Sequence, residues 1–367
     1  MKKKQKRIYL VSSIILIIII LASLSLSQIF SRFYSPFHML ERVIRYVKNE
    51  YFKPVRPEKI APAAIRGMLN YLDPNSSYLN PEQTKLFENR WNLELGDIGV
   101  ILIKRYSYPQ IIGIIENSPA QESGLKIGDY ISSINGETTY KKGIWEVRLS
   151  LKGNINSEVY LKIMRNNSLL KLKVKREKIY DSYFNIQKIK NNYLLKINYF
   201  PSNLRNLINA LKKIENKAKG LIIDLRNCYD GKIISGFNLA NVFIPSGKAF
   251  FVKRKDKTIK EYYFKKENYF SNLPLVVIVN KATMSGGELF ALLLKKFKRA
   301  KIIGESTFGI LSETKVFKMD DGSGIVLTTG MIFLEKDKKI WGKGVKPDIT
   351  LKEKENPVQK AIKLLGS

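Results

Sequence analysis

The sequence predicts a multidomain chain that mixes α/β and β structure, with the α/β part built on a mostly parallel sheet. Three observations carry that prediction. Short, continuous apolar runs such as Leu275 to Val279 and Leu221 to Leu225 read as strands buried on both faces. Amphipathic helical patterns flank them: Leu204 to Ile214 before Leu221, and Leu289, Phe290, Leu292, Leu293 and Phe297 after Val279. Between residues 95 and 179, short strand patterns separated by glycine turns mark a second, β-rich domain. The 367 residues leave room for two or three domains, and an apolar fraction of 44% is ordinary for globular protein.

In chain order, residues 2–7, KKKQKR, precede a mostly apolar run from Ile8 to Leu26, long enough to span a bilayer as a helix. The basic flank should stay cytoplasmic and leave the bulk of the chain outside, in the periplasm or beyond the cell membrane. A cleaved signal peptide is the rival reading, with Ser25-Leu26-Ser27 as a weak cleavage site. The expected divisions are 1–30, flank and membrane anchor; 31–94, a helical region; 95–179, the β-rich domain; 180–352, the α/β core; and 353–367, a C-terminal helix. From Phe37 to Glu88 the pattern is helical, with stripes at Met39, Val43, Ile44, Val47 and at Ile65, Met68, Leu69, broken by a turn at Leu72-Asp73-Pro74-Asn75.

In the β-rich domain, GDIGV at 96–100 turns into a strand from Val100 to Ile103, Ser118-Pro119-Ala120 opens a short helix, and Lys141 to Leu151 is a longer one. In the core, Tyr193 to Ile197 is a strand and Ile233 to Val242 a helix. Lys253 to Asn272 forms part of a hairpin, and Gly324 to Thr328 pairs with Met331 to Glu335. Val358 to Leu365 is the terminal helix.

The net charge of +32 comes from Lys and Arg scattered along the chain. No nucleic-acid motif accompanies it, so nucleic acid is not an expected partner; a solvated basic surface or attraction to anionic lipid or wall polymers are the two readings. The single cysteine, Cys228, excludes an internal disulfide and reads as a small buried residue. No metal or cofactor is called for.

The chemistry centres on Ser285, which falls at the tight turn between the Leu275 strand and its following helix. A serine there can present its hydroxyl to a substrate while helix N–H groups face a developing oxyanion. Ser285-Gly286-Gly287-Glu288 also spells a capping box. Context comes from AIRGMLNYLDPNSSYLNPEQ at 64–83, GDIGV at 96–100, NSPAQESGLKIGDYISSINGE at 117–137, LIIDLRNCYDG at 221–231, NKATMSGGELF at 280–290, GESTFG at 304–309 and GKGVKPDI at 342–349. In that order these segments resemble the C-terminal processing peptidases, or tail-specific proteases, which join a PDZ domain to a serine-protease core. The resemblance spans roughly residues 38 to 365 and implies a ClpP/crotonase-like α/β core after the PDZ domain.

The resemblance makes Ser285 the nucleophile, Gly286 the donor of an oxyanion N–H, and the segment ending at Gly231 the second oxyanion strand. It makes Gly96, Asp97, Ile98, Gly99 and Val100 a loop whose N–H groups receive a peptide's C-terminal carboxylate, with Lys152 where the family usually has arginine. Ile144, Trp145 and Val147 are candidates for lining the peptide groove. Helices in the region before it can mediate dimerisation in the family.

Three positions depart from the family pattern. Ile310 stands where the general-base lysine belongs, Thr314 where its glutamine partner belongs, and Asp230 where one glycine of the oxyanion segment belongs. Isoleucine accepts no proton, and a positioned general base contributes about 10²–10⁴-fold. Lys315 is the substitute base the sequence offers, although strand alternation sets it opposite Ile310, Ser312 and Thr314 unless a bulge intervenes. His38, Lys281, Glu313 and Asp320 are weaker candidates, and Cys228 a remote replacement nucleophile. Two readings remain: a membrane-anchored family member that binds disordered C-termini with impaired proteolysis, a pseudoprotease candidate; and an active serine endopeptidase using Ser285 with another base such as Lys315. Expected partners are unfolded or C-terminal peptide segments, the membrane through residues 8–26, and a second copy or a related active protease.

Overall fold

The computed structural model describes residues 14–21, 36–90, 94–104, 107–180, 182–256, 259–265, 270, 272–334, 341–352 and 354–366. The chain divides into two compact units, Met1–Ala64 and Ile65–Ser367. In the first unit, residues 14–21 are helical with exposed side chains, and Pro36–Glu50 forms an amphipathic helix. The rest of the expected anchor at 8–26 lies outside the described residues, among which no helix is long and apolar enough to cross a membrane.

The helix Pro57–Leu72 ends inside the second unit, where Asp73 Oδ1 accepts the Asn75 and Ser76 N–H groups and closes the expected turn. The chain from 37 to 88 is not helical throughout: Ser77–Leu79 is a strand, paired antiparallel with Gly324–Val326. Three residues are too short for any period to register, and all three side chains are buried. Asn80 and Gln83 then form a capping box that starts the helix Pro81–Asn89.

The β-rich domain arranges strands Val100–Lys104, Pro109–Ile114, Tyr130–Ile134, Glu158–Arg165 and Ser168–Lys175 in that spatial order, leaving Val100–Lys104 at one edge. Its helix runs Ile144–Leu151, three residues shorter at the start than the apolar pattern suggests, because Lys141 takes a positive φ of 57° and Gly143 is the N-cap. Ile98, Leu102, Ile111, Ile131, Val147, Val159 and Ile163 fill its interior.

The α/β core is a six-stranded sheet in the order Ile349–Thr350, Lys301–Gly304, Leu275–Val279, Leu221–Asp224, Asn192–Ile197, Phe184–Ile189. All neighbours are parallel except the final pair. Side chains alternate across it as strand geometry requires: Ile223 and Val277 enter the larger core with Leu207, Leu211, Leu289 and Phe290, whereas Ile222, Val276 and Ile278 pack with Ala361 of the terminal helix Pro357–Leu364. Burial on both faces explains the unbroken apolar runs. A second, antiparallel sheet is built on one long strand, Gly324–Phe333, which pairs with Ser312–Lys318, Gly247–Arg254 and Ser77–Leu79. The expected hairpin within 324–335 is therefore replaced by a continuous strand whose hairpin partner is Ser312–Lys318; Glu335 lies outside the described residues.

Phe290, fully buried on the helix Ser285–Lys296, sits 6.1 Å from the Phe200 ring and 6.0 Å from that of Phe243. Phe290→Ala should lower the unfolding free energy by about 3–5 kcal/mol in chemical denaturation, while Leu169→Ala on the exposed hairpin should change it by under about 0.5 kcal/mol. Equal effects would contradict this placement of the core.

Candidate active site

Two parallel strands, Leu221–Asp224 and Leu275–Val279, end side by side, and the loops that leave them are tied together. Thr283 Oγ1 donates to the Leu225 carbonyl at 2.8 Å, and the Met284 N–H to the Cys228 carbonyl at 2.8 Å. Asn280 Oδ1 accepts the Asn227 N–H at 3.1 Å, and its Nδ2 donates to Asn227 Oδ1 at 2.9 Å. Asn227 itself has a φ of 61°, a left-handed conformation that asparagine tolerates. Its Nδ2 also donates to the Ile114 carbonyl of the β-rich domain at 3.2 Å. These bonds deliver Ser285 to the first position of its helix.

Ser285 is half-buried and has a φ of 54°. Such a conformation costs a non-glycine residue about 1–3 kcal/mol and is typical of strained turns that expose a side chain. No capping box forms: Met284 is the N-cap and no side chain caps the helix. Ser285 Oγ instead donates to the Gly231 carbonyl at 2.8 Å. Glu288, the other half of the expected box, turns inward and is completely buried. Its Oε1 accepts from Thr307 Oγ1 and from the Gly309 N–H, so it anchors the loop that precedes Ile310. Burial pushes the Glu288 carboxyl up to about 7, against hydrogen bonds from Thr307, Gly309 and Ile310 that pull it down.

Gly286 lies at the first helical turn, where no intrahelical carbonyl reaches its N–H. A Cβ on Gly236 of the facing helix Ile233–Ala240 would lie 2.0 Å from the Gly286 carbonyl, so only glycine permits this approach. Gly231 has a φ of 116° and pairs with Phe200 in a two-residue parallel ladder. Its N–H donates to Asp230 Oδ1 at 2.9 Å. The oxyanion segment thus offers Ser285 a carbonyl, and its amide is held by its own neighbouring carboxylate.

Ile310 packs against a cluster of Ile101, Ile103, Ile115, Tyr229, Ala282 and Met284, which joins the edge strand of the β-rich domain to the catalytic loops. The strand Ser312–Lys318 begins two residues later; its register on Gly324–Phe333 shifts between Glu313 and Thr314, where Thr329 is the extra, unpaired residue on the partner strand. Ser312, Glu313, Thr314 and Lys315 all line one cleft of ≈ 650 Å³ together with Ser285, Gly231 and Ile310, so Lys315 is not turned away from it as strict alternation would require. Arg90, Arg148, Lys232 and Arg254 add positive charge to its walls, Asp230, Asp256 and Glu313 negative charge, and Phe250, Val252, Tyr262 and Ile332 form an apolar part. Arg254 and Glu313 are an ion pair at 2.8 Å.

Of the other candidates, Lys281 and Asp320 are exposed and outside the cleft lining, and His38 lies on Pro36–Glu50 with Nδ1 3.2 Å from Glu41 Oε2. Cys228 is fully buried and burial pushes its thiol up, so it is the packing residue expected of it. Arg148, Arg90 and Lys232 carried no sequence signal; only the fold gathers them. Of the groove candidates, Ile144 and Val147 face the interior of the β-rich domain, while Trp145 stacks edge-on against Phe87 at 5.0 Å and lines both the Ser285 cleft and the small pocket beside Asp97, Val100 and Lys152.

In the carboxylate loop, the Ile98 N–H donates to Asp97 Oδ1 at 2.7 Å and the Gly99 N–H to the same atom at 3.4 Å. Lys152 Nζ lies 3.2 Å from Asp97 Oδ2. The Gly96 N–H bonds the Gly153 carbonyl at 2.8 Å, and Val100 starts the edge strand.

A model of peptidase family S41 matches residues 184–351, and a PDZ-domain model matches residues 96–175. Residues 184–351 thus belong to peptidase family S41 and residues 96–175 to the PDZ domains. It is 28% identical over 320 residues to the carboxy-terminal processing protease CtpA of Bacillus subtilis, covering 86% of this chain and 69% of that protein. With a probable CtpA-like serine protease of Staphylococcus aureus the identity is 31% over 320 residues, and the match spans 85% of this chain and 64% of that relative's length. The fold is shared with the photosystem II D1 C-terminal processing protease, with a TM-score of 0.73, 23% identity and 92% of each chain covered.

The raised Glu288 carboxyl gives a signed pH dependence. Its folded value of about 7 exceeds the ordinary 4.5, so the folded state holds the proton more tightly; its contribution is complete below pH 4.5 and is lost as pH rises through 7. Relative to Glu288→Gln, which keeps an oxygen for Thr307 and Gly309, the wild type should lose on the order of 2–3 kcal/mol across that window. Denaturation at pH 4.5, 6 and 8 reads this directly, and parallel pH profiles would contradict it.

Proposed function

We propose that this chain is a membrane-anchored, extracytoplasmic C-terminal processing peptidase homologue that binds disordered protein C-termini through its PDZ domain and whose proteolysis is impaired. The observation that carries the reading is the pairing at Ser285: its hydroxyl donates to the Gly231 carbonyl while Asp230 occupies the Gly231 amide. A hydroxyl attacks a carbonyl carbon only when a base takes its proton and donors receive the oxyanion. Here Ile310 fills the base position with a methyl-bearing side chain packed among Ile101, Tyr229 and Met284. Anchoring rests on the basic flank at 2–7 and the apolar run at 8–26, and with it the location on the outer side of the cell membrane. A second copy or an active relative as partner remains part of the same proposal.

The place of Lys315 on the cleft wall favours a second reading, an active serine endopeptidase. Lys315 lines the cleft together with Ser285, and a lysine there is able to act as base.

Both readings meet in one assay: mass spectrometry of an unstructured, C-terminally tagged protein incubated with the full chain in detergent. The wild type should leave it uncut, like Ser285→Ala, and Ile310→Lys with Asp230→Gly should raise cleavage at least about 10²-fold. Wild-type cleavage that vanishes in both Ser285→Ala and Lys315→Ala would overturn impairment and install Lys315 as base.

A further inference from the structure

The loop expected to receive a peptide carboxylate already holds one. Successive N–H groups converging on a point, with a cation beside them, form an anion cradle. In this chain Ile98 and Gly99 supply the N–H groups and Gly99, with a φ of 86°, supplies the left-handed turn that aims them. A Cβ on Gly99 would meet Ser118 Cβ at 2.4 Å, so the loop is held close against the short helix behind it. Asp97 Oδ1 accepts from both amides, and Asp97 Oδ2 faces Lys152 Nζ at 3.2 Å. Asp97 is 8% exposed, and its backbone is fixed by N–H and C=O bonds to Glu177, both 2.9 Å. Its carboxylate therefore occupies the donors and the cation that would recognise a chain terminus. The neighbouring guanidinium of Arg176 is directed elsewhere, to the carbonyls of Leu151, Ser150 and Glu158 and to Ser157 Oγ.

We propose that Asp97 is a resident carboxylate in the PDZ cradle and the residue that sets its end-group specificity, so that the groove gains little from a free C-terminus. An arriving carboxylate must either displace Asp97 from Ile98, Gly99 and Lys152 or lie beside a like charge, and either route cancels most of the attraction. Among the described residues Val100–Lys104 pairs with Pro109–Ile114 alone, which leaves an edge of the kind to which an extended backbone adds. Recognition then rests on backbone and side chains, and a neutral end or an internal segment binds as well as a terminus. This deepens the PDZ-binding part of the proposed function and rests on it.

The test uses the full chain in detergent and a fluorescent, unstructured decapeptide ending in three alanines, made as the free acid and as the amide. Wild type should bind the two within about twofold, whereas Asp97→Gly should prefer the acid by about tenfold or more, the scale of hydrogen bonds to a charged group. Asp97→Asn, which keeps an acceptor for the loop amides and drops the charge, should fall between them. Adding Lys152→Ala to Asp97→Gly should remove most of the gained preference, a change that a purely structural role for Asp97 would not produce. A wild type that already prefers the acid tenfold, or an Asp97→Gly protein that stays folded and gains no preference, overturns the proposal and leaves PDZ binding intact. Binding of neither peptide by any variant overturns PDZ peptide binding itself, and the proposal with it.

Discussion

The hydrogen bond from Ser285 Oγ to the Gly231 carbonyl is the point at which the two catalytic loops meet. Everything on either side is arranged to bring those atoms together. Parallel pairing of Leu221–Asp224 with Leu275–Val279 sets the strand ends level, and Thr283, Asn280 and Asn227 bind one loop to the other. The glycine contact between Gly236 and Gly286 lets the two following helices approach. The apolar cluster around Tyr229, Ala282 and Met284 then seats the edge strand of the PDZ domain on the same loops. The scaffold of a serine peptidase is thus intact, and what differs is the set of polar groups facing the serine.

The departures at this site share a chemical direction. Where the family resemblance places a lysine base, Ile310 packs into the interdomain contact and offers nothing for proton transfer. At the oxyanion segment a carboxylate has entered and satisfies the Gly231 amide internally. At the PDZ cradle another carboxylate satisfies the Ile98 and Gly99 amides. In the last two places donors that would serve a ligand are closed by the chain's own carboxylates. A buried donor left unpaired is costly, so self-pairing stabilises the empty protein and weakens what a ligand gains.

Much of this was legible in the residues. The central core strands are short, continuous apolar runs, and the helix after Ser285 has a clear stripe, so their type followed from the apolar pattern. The short strand Ser77–Leu79 and the continuous Gly324–Phe333 were not legible, because each is defined by its partner across the sheet. Ser285, Gly231 and Ile310 could be placed by motif, yet the motif says nothing of which atom each presents; that Gly231 turns its carbonyl to Ser285 is a property of its backbone conformation. That Lys315 lines the cleft against strand alternation has no sequence mark, and Arg148 reaches the cleft from the helix Ile144–Leu151 and Arg90 from the end of the helix Pro81–Asn89. Glu288 looked like a cap and is a buried brace for the Thr307 to Gly309 loop, a role set by tertiary contacts.

The central claim, that Ser285 lacks an activating base and a free oxyanion amide, is tested most directly by its reactivity toward a small serine-directed fluorophosphonate, read as adduct mass on the tryptic peptide that contains it. The account predicts no adduct in the wild type and a Ser285 adduct in Ile310→Lys with Asp230→Gly. Stoichiometric labelling of wild-type Ser285 would contradict it.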